Sequence, residues 1–391
     1  MASLSVPPVP TDPRRDAIDL HRAFKGFGCD ATAVTAILAH RDASQRALIR
    51  RHYAAVYHQD LLHRLAAELS GHHKRAVLLW VLDPASRDAA VLHQALNGDV
   101  TDMRAATEVV CSRTPSQLLV VRQAYLARFG GGGGGGLEHD VAVRASGDHQ
   151  RLLLAYLRSP RYEGPEVVDM AAAARDAREL YRAGERRLGT DERTFIRVFS
   201  ERSAAHMAAV AAAYHHMYDR SLEKVIYRSC TAAYALALVF SLSEFNGGRV
   251  RAHIHHYTRI HLTHGASYKT RMCTHTTTQG LRNAEGSSGQ LHKMAVKSET
   301  SGNFGFGLLT ILRCAESPAK YFAKVLHEAM KGLGTNDTTL IRVVTTRAEV
   351  DMQYIKAEYH RSYKRSLADA VHSETSGNYR TFLLSLIGRD R

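Results

Sequence analysis

One short pattern recurs along this chain and constrains its fold more than any other feature. Lys25-Gly26-Phe27-Gly28-Cys29-Asp30 returns as Arg186-Arg187-Leu188-Gly189-Thr190-Asp191 and as Lys331-Gly332-Leu333-Gly334-Thr335-Asn336. At one fixed distance beyond the last glycine of each stands an arginine: Arg41, Arg202 and Arg347. A fourth, Arg113, lies in Ser112-Arg113-Thr114-Pro115-Ser116-Gln117, which echoes His40-Arg41-Asp42-Ala43-Ser44-Gln45. Spaced self-similarity of this kind marks a repeat architecture, so four units are expected.

Within unit 1 the apolar spacing predicts helices over Arg14–Phe24, Asp30–His40, Ser44–Tyr57, Asp60–Leu69 and His73–Leu82. The last is apolar enough to be buried nearly all round. The expectation is an all-α chain of four repeats, about five helices each, with no strand. A short segment (1–13) precedes units over 14–83, 86–160, 169–315 and 319–388.

A second motif, Glu374-Thr375-Ser376-Gly377-Asn378-Tyr379, falls between the fourth and fifth helices of unit 4. Glu374 stands as far beyond Gly334 as Glu68 stands beyond Gly28. Unit 3 breaks this spacing: its matching Glu299-Thr300-Ser301-Gly302-Asn303-Phe304 begins nearly three times as far beyond Gly189. Deleting Val225–Met294, a stretch as long as a whole unit, would join Lys224 to Ala295 and restore the register. That segment has seven histidines, eight Lys/Arg and two acids, and little periodicity, so it reads as foreign to the repeat and poorly packed. Translated intron sequence and a lineage-specific loop both remain open as its origin. Unit 2 carries a smaller insertion, four extra residues within the glycine run Gly130–Gly136, at the turn between its third and fourth helices. No Gly-Lys-Ser/Thr follows that run, so it is not a phosphate loop.

The paired motifs suit a hard cation. Calcium takes six to eight oxygens, often carbonyls plus one bidentate carboxylate. A Gly-x-Gly turn can aim backbone carbonyls at one point, and a glutamate from another loop can supply the carboxylate. The bland alternative is a pair of helix-connecting turns with a capping Thr or Asp. Two intact copies with the same offset from glycine to glutamate weigh against it.

The fourfold Lys-Gly-x-Gly-Thr-Asp pattern with its later glutamate resembles the annexin family. Trp80 in the first unit, and intact loops only in units 1 and 4, resemble plant annexins. The resemblance implies a slightly curved four-unit disc that binds acidic phospholipids reversibly, with Ca2+, through its convex face. Carried over, unit 1 would use the carbonyls of Phe24, Gly26 and Gly28 with the Glu68 carboxylate. Unit 4 would use Met330, Gly332 and Gly334 with Glu374. In unit 2, Val100 replaces the second glycine and Arg144 replaces the acid, so that site is lost. In unit 3, Arg187 replaces the first glycine; Gly189 and Glu299 meet only if the insert loops out. Cys29 stands where the family has Thr, which is expected to weaken a cap and leave the carbonyls.

Other classes are weighed on the same residues. The family resemblance suggests peroxidase-like activity at His40, but no partner acid, haem motif or nucleophile pair accompanies it. It also suggests actin binding through Ile196-Arg197-Val198 or Ile341-Arg342-Val343, whose apolar members read more simply as core. The formal charge of +14 points to polyanions, an anionic membrane or nucleic acid. No helix interleaves Lys/Arg with aromatics, so no specific nucleic-acid binding is expected. The first residues lack a secretory h-region, and the five scattered cysteines fit neither a disulfide framework nor a zinc spacing. No apolar run spans a bilayer. A mostly monomeric cytoplasmic protein is expected, peripheral at membranes, with self-association there left open.

Overall fold

Aspartates open the first four helices of unit 1. Asp12, Asp30, Asp42 and Asp60 each accept hydrogen bonds from free backbone amides of the first turn. Asp42 and Gln45 complete a capping box. These caps fix α1 (Pro13–Ala23), α2 (Ala31–Leu38), α3 (Ala43–Tyr57) and α4 (Leu61–Glu68). The fifth helix, α5 (Gly71–Val81), starts instead at Ser70 in extended backbone followed by Gly71 at φ +59°.

The structure is a computed structural model that describes residues 11–26, 28–131, 135–164, 167–187, 189–228, 288–332 and 334–388, with the backbone alone over 288–301. Unit 2 comprises α6 (Pro84–Asn97), α7 (Met103–Cys111), α8 (Pro115–Phe129), α9 (Leu137–Arg144) and α10 (Gly147–Arg158). Unit 3 comprises α11 (Met170–Ala183), α12 (Glu192–Glu201), α13 (Ala204–Tyr218), α14 (222–228) and α15 (Ser288–Glu316). Unit 4 comprises α16 (Pro318–Met330), α17 (Asp337–Arg347), α18 (Met352–Tyr363), α19 (Leu367–Glu374) and α20 (Gly377–Ile387). Among the described residues there is no strand. The glycine run lies between α8 and α9, and its residues 132–134 lie outside the described residues.

The apolar faces bury into two clusters. One joins units 1 and 4, with Leu20, Tyr53, Trp80, Leu326, Met352 and Phe382. The other joins units 2 and 3, with Leu92, Tyr125, Leu152, Phe195, Tyr214 and Leu312. Within α5, His73, Ala76, Val77, Trp80 and Val81 are buried, while Leu78 and Leu79 are half-buried. Burial on α5 is therefore less complete than expected, because Leu78 and Leu79 line a cleft shared with Val91 and Ile341.

The recurring arginine now has a cause. Arg41 grips Asp16 with two hydrogen bonds, at 2.7 and 2.9 Å. Arg113 does the same to Asp88, and Arg202 to Asp176. Each pair ties the end of a unit's second helix to its first, in the bidentate geometry that guanidinium and carboxylate share. In unit 4 Phe322 takes the aspartate's place on the first helix; Arg347 lies 4.5 Å from its ring centroid and pairs with Asp351 instead.

A second arginine joins the units. Arg87, 1% exposed, donates to the carbonyls of Leu79, Trp80 and Leu82 in unit 1 and of Thr345 in unit 4. Arg46 and Arg87 flank the Trp80 ring at 3.9 and 4.8 Å, and both reach Glu349.

Unit 3 departs from expectation at the edge of the inserted segment. Val225 and Ile226 are 2% and 0% exposed and extend the apolar face begun by Leu222. The i, i+3, i+4 spacing lets α14 finish without residues from beyond the insert. The foreign segment is therefore well packed at its first residues; residues 229–287 lie outside the described residues. Beyond them, α15 supplies the fifth-helix position through Phe304, Leu308, Ile311 and Leu312, packing on α7, α10 and α13.

Candidate metal and membrane site

All four units close the turn between their first two helices in one way. The amide of the second helix's N-cap donates to a carbonyl near the end of the first helix. The bonds are Asp30 N to Ala23 O, Asp102 N to Ala95 O, Asp191 N to Ala183 O and Asn336 N to Ala329 O, all between 2.8 and 2.9 Å. Between these anchors unit 3 has one residue more than the others, so its loop is longer as well as lacking the first glycine. Glu185 in that longer loop accepts from Tyr214 and Arg220.

The turn in unit 1 passes through Gly26 at φ +121° and Gly28 at φ +92°, left-handed values that glycine reaches without strain. The Gly28 amide donates to the Gly26 carbonyl at 3.1 Å. In unit 4, Gly334 takes φ +96°.

The distant glutamates do come to these turns. In unit 4 the Thr335 hydroxyl donates to Glu374 Oε2 at 2.9 Å, tying the glycine loop to the end of α19. The sequence pattern suggested a capping role for this threonine. The cap is Asn336, and the threonine instead holds the carboxylate. In unit 1 Cys29 occupies the threonine's place, and its thiol is pushed up to about 11, chiefly by burial and then by Glu68 and Asp30. There Arg64 does the tying. Its Nη2 lies 2.8 Å from Glu68 Oε1 and 3.3 Å from the Phe24 carbonyl. Glu68 also lines a cleft where units 1 and 4 meet, with Cys29, His72, Asn378 and Tyr379.

The other units lack this convergence. In unit 2, Val100 is 82% exposed and Arg144 stands at the end of α9. In unit 3, Gly189 takes φ +86°, but Glu299 lies within the continuous helix α15 rather than at a helix end. Its side chain lies outside the described residues. Among the described residues no group of three or more His, Cys, Asp or Glu side chains converges. A cation at these turns would therefore rest on carbonyl oxygens and a single carboxylate.

The residues of the other readings fall elsewhere. His40 follows α2, and its carbonyl accepts from Arg41. Arg342 and its neighbours Ile341 and Val343 are buried, with Arg342 paired to Glu108. Arg197 pairs with Glu179 at 2.7 Å. Cys29, Cys111 and Cys314 are free. Among the described residues no helix is long and apolar enough to cross a membrane.

Four all-helical units, each closing the turn between its first two helices in the same way, define a helical repeat protein. The annexin family model matches at residues 15–80, 87–156, 175–240 and 321–386, and the chain belongs to the annexin family. It is 42% identical over 388 residues to annexin D5 of Arabidopsis thaliana, covering 99% of both chains, which marks it as plant-type. The solved structure of annexin III aligns over 100% of this chain and 98% of its own, with a TM-score of 0.77 and 26% identity. Calcium-bound annexin (Sm)1 shares the fold at a TM-score of 0.70, 24% identity, and coverage of 100% and 93%. Family and fold together support phospholipid-membrane binding.

Proposed function

We propose that the chain binds acidic phospholipid membranes reversibly when calcium is present, through the turns of units 1 and 4. The carrying observation is the Thr335–Glu374 hydrogen bond, which brings a carboxylate to a glycine turn. The donor set fits calcium: oxygen only, and mostly backbone carbonyl. Phe24, Gly26, Gly28 and Glu68 would hold it in unit 1; Met330, Gly332, Gly334 and Glu374 would hold it in unit 4. Calcium supplies the positive charge that attracts a lipid phosphate oxygen. With a single carboxylate, each turn leaves coordination places for that oxygen. The calcium-bound state of annexin (Sm)1 supports the same reading by likeness of fold. Unit 3 is not included, because Glu299 lies inside a helix. The chain would work at the cytoplasmic face, leaving the membrane when calcium falls.

Sedimentation with phosphatidylserine vesicles tests this. The parent should pellet with calcium and stay in solution with chelator. Glu68→Gln combined with Glu374→Gln should abolish pelleting. If the double variant pellets as well as the parent, the assignment fails. Binding that ignores chelator and weakens steeply with salt would instead indicate a polyanion binder.

A further inference from the structure

Units 1 and 4 hold their glutamates differently, and the difference lies in one side chain. Arg64 stands one helical turn before Glu68 on α4; Ala370 holds the same place before Glu374 on α19. The guanidinium of Arg64 reaches two oxygens of the unit 1 set through the same nitrogen, Glu68 Oε1 at 2.8 Å and Phe24 O at 3.3 Å. Among the described residues no cation of this kind holds Glu374, whose Oε2 accepts from the neutral Thr335 hydroxyl.

We propose that Arg64 is a tethered competitor for the cation position of unit 1, so that this unit takes up calcium only as the guanidinium leaves. The inference rests on the reading of unit 1 as a calcium site. The exchange is electrostatically coherent: one positive charge now balances Glu68, and calcium replaces it with two. Both occupants need the same Glu68 and Phe24 oxygens, so they exclude each other. Unit 4 carries no such competitor among the described residues and fills at lower calcium. The chain then responds in two steps, unit 4 first and unit 1 after.

The gate is soft. The Arg64 side chain is 34% exposed, and a part-exposed i,i+4 ion pair is weak. Swinging the guanidinium into water costs little, so removing it should tighten unit 1 by roughly two- to fivefold. Cys29 reinforces the device, since a thiol is a weaker hydrogen-bond donor than the Thr335 hydroxyl that holds Glu374 in unit 4.

Calorimetric titration of calcium into the full chain, without lipid, tests the proposal. Glu374→Gln removes the unit 4 contribution and leaves unit 1 to be read. Adding Arg64→Ala or Arg64→Gln should lower the apparent Kd roughly two- to fivefold, and Arg64→Lys should lie between. Arg64→Gln keeps most of the side chain's bulk if the alanine variant misfolds. An unchanged Kd in both neutral variants overturns the competitor while leaving the unit 1 site standing. Absence of any calcium heat in both overturns the competitor and the unit 1 site together.

Discussion

Units 3 and 4 close on the same short motif and take different shapes there. In unit 4, Glu374-Thr375-Ser376-Gly377-Asn378 ends α19 and starts α20, and the chain turns at Gly377 with φ +58°. In unit 3, Glu299-Thr300-Ser301-Gly302-Asn303 lies inside α15, a single helix over Ser288–Glu316. Beyond the motif the two agree again. Phe304, Leu308, Ile311 and Leu312 are buried as Tyr379, Leu383, Leu386 and Ile387 are. What differs is the demand on the preceding turn of chain. In unit 4 Leu367, Ala370 and Val371 fill the fourth-helix groove, and the chain must bend at once to fill the fifth. In unit 3 Leu222, Val225 and Ile226 already fill that groove from the near side of the inserted segment, so the groove does not depend on an immediate bend at the motif. Helix then propagates straight, since extension is easier than a new start. The bend is imposed by tertiary packing over a short connection, and the local letters only permit it.

The largest expected effect tests whether the fifth helices pack alike. Leu312 and Ile387 are both 0% exposed. Leu312→Ala and Ile387→Ala should each cost about 3 kcal/mol in urea unfolding, within the range for buried large-to-alanine changes. A loss below about 1 kcal/mol for Leu312 alone would break the likeness.

Deleting 229–298 comes next. Because Val225 and Ile226 belong to the core, the junction that best preserves unit 3 joins Arg228 to Glu299. The deletion shortens the connection between α14 and the fifth-helix position at Gly302 from 73 residues to three, between four and five halvings, or on the order of 3 kcal/mol of closure entropy. The shortened chain should unfold at higher urea. An unchanged midpoint would mean that the long connection carries compensating contacts.

Much of this architecture is legible in residue spacing. The repeat, the helices of unit 1 and the approach of each intact glycine turn to its glutamate follow from apolar period, capping aspartates and the shared offset between the two motifs. Other parts leave a fainter trace. Asp16, Asp88 and Asp176 precede Arg41, Arg113 and Arg202 at nearly one separation, as a repeated salt-bridge partner would. The longer unit 3 loop shows when counted between its anchors, Ala183 and Asp191, rather than from its glycine. Arg64 before Glu68 is a visible i,i+4 pair, but its reach to the Phe24 carbonyl depends on how α4 packs beside α1. Arg87 leaves no such trace, because its carbonyl partners come from two units and their exposure is set only by assembly.

The smallest effect is the sharpest probe of the comparison, because it should change sign between the two units. A methyl group added at Gly302 or at Gly377 meets nothing within 4 Å, so any difference comes from the backbone alone. At Gly302, inside a helix, alanine should stabilise by about 1 kcal/mol. At Gly377, held in left-handed backbone that penalises a Cβ, alanine should cost about 1–2 kcal/mol. Paired urea titrations of the two variants read the signs directly. Repeating Gly302→Ala in the chain lacking 229–298 goes one step further. If the short connection forces the bend, Gly302 must adopt the left-handed turn of Gly377, and the same substitution should become destabilising. A gain that persists after the deletion would place the cause in the local sequence around Gly302 rather than in the length of the connection.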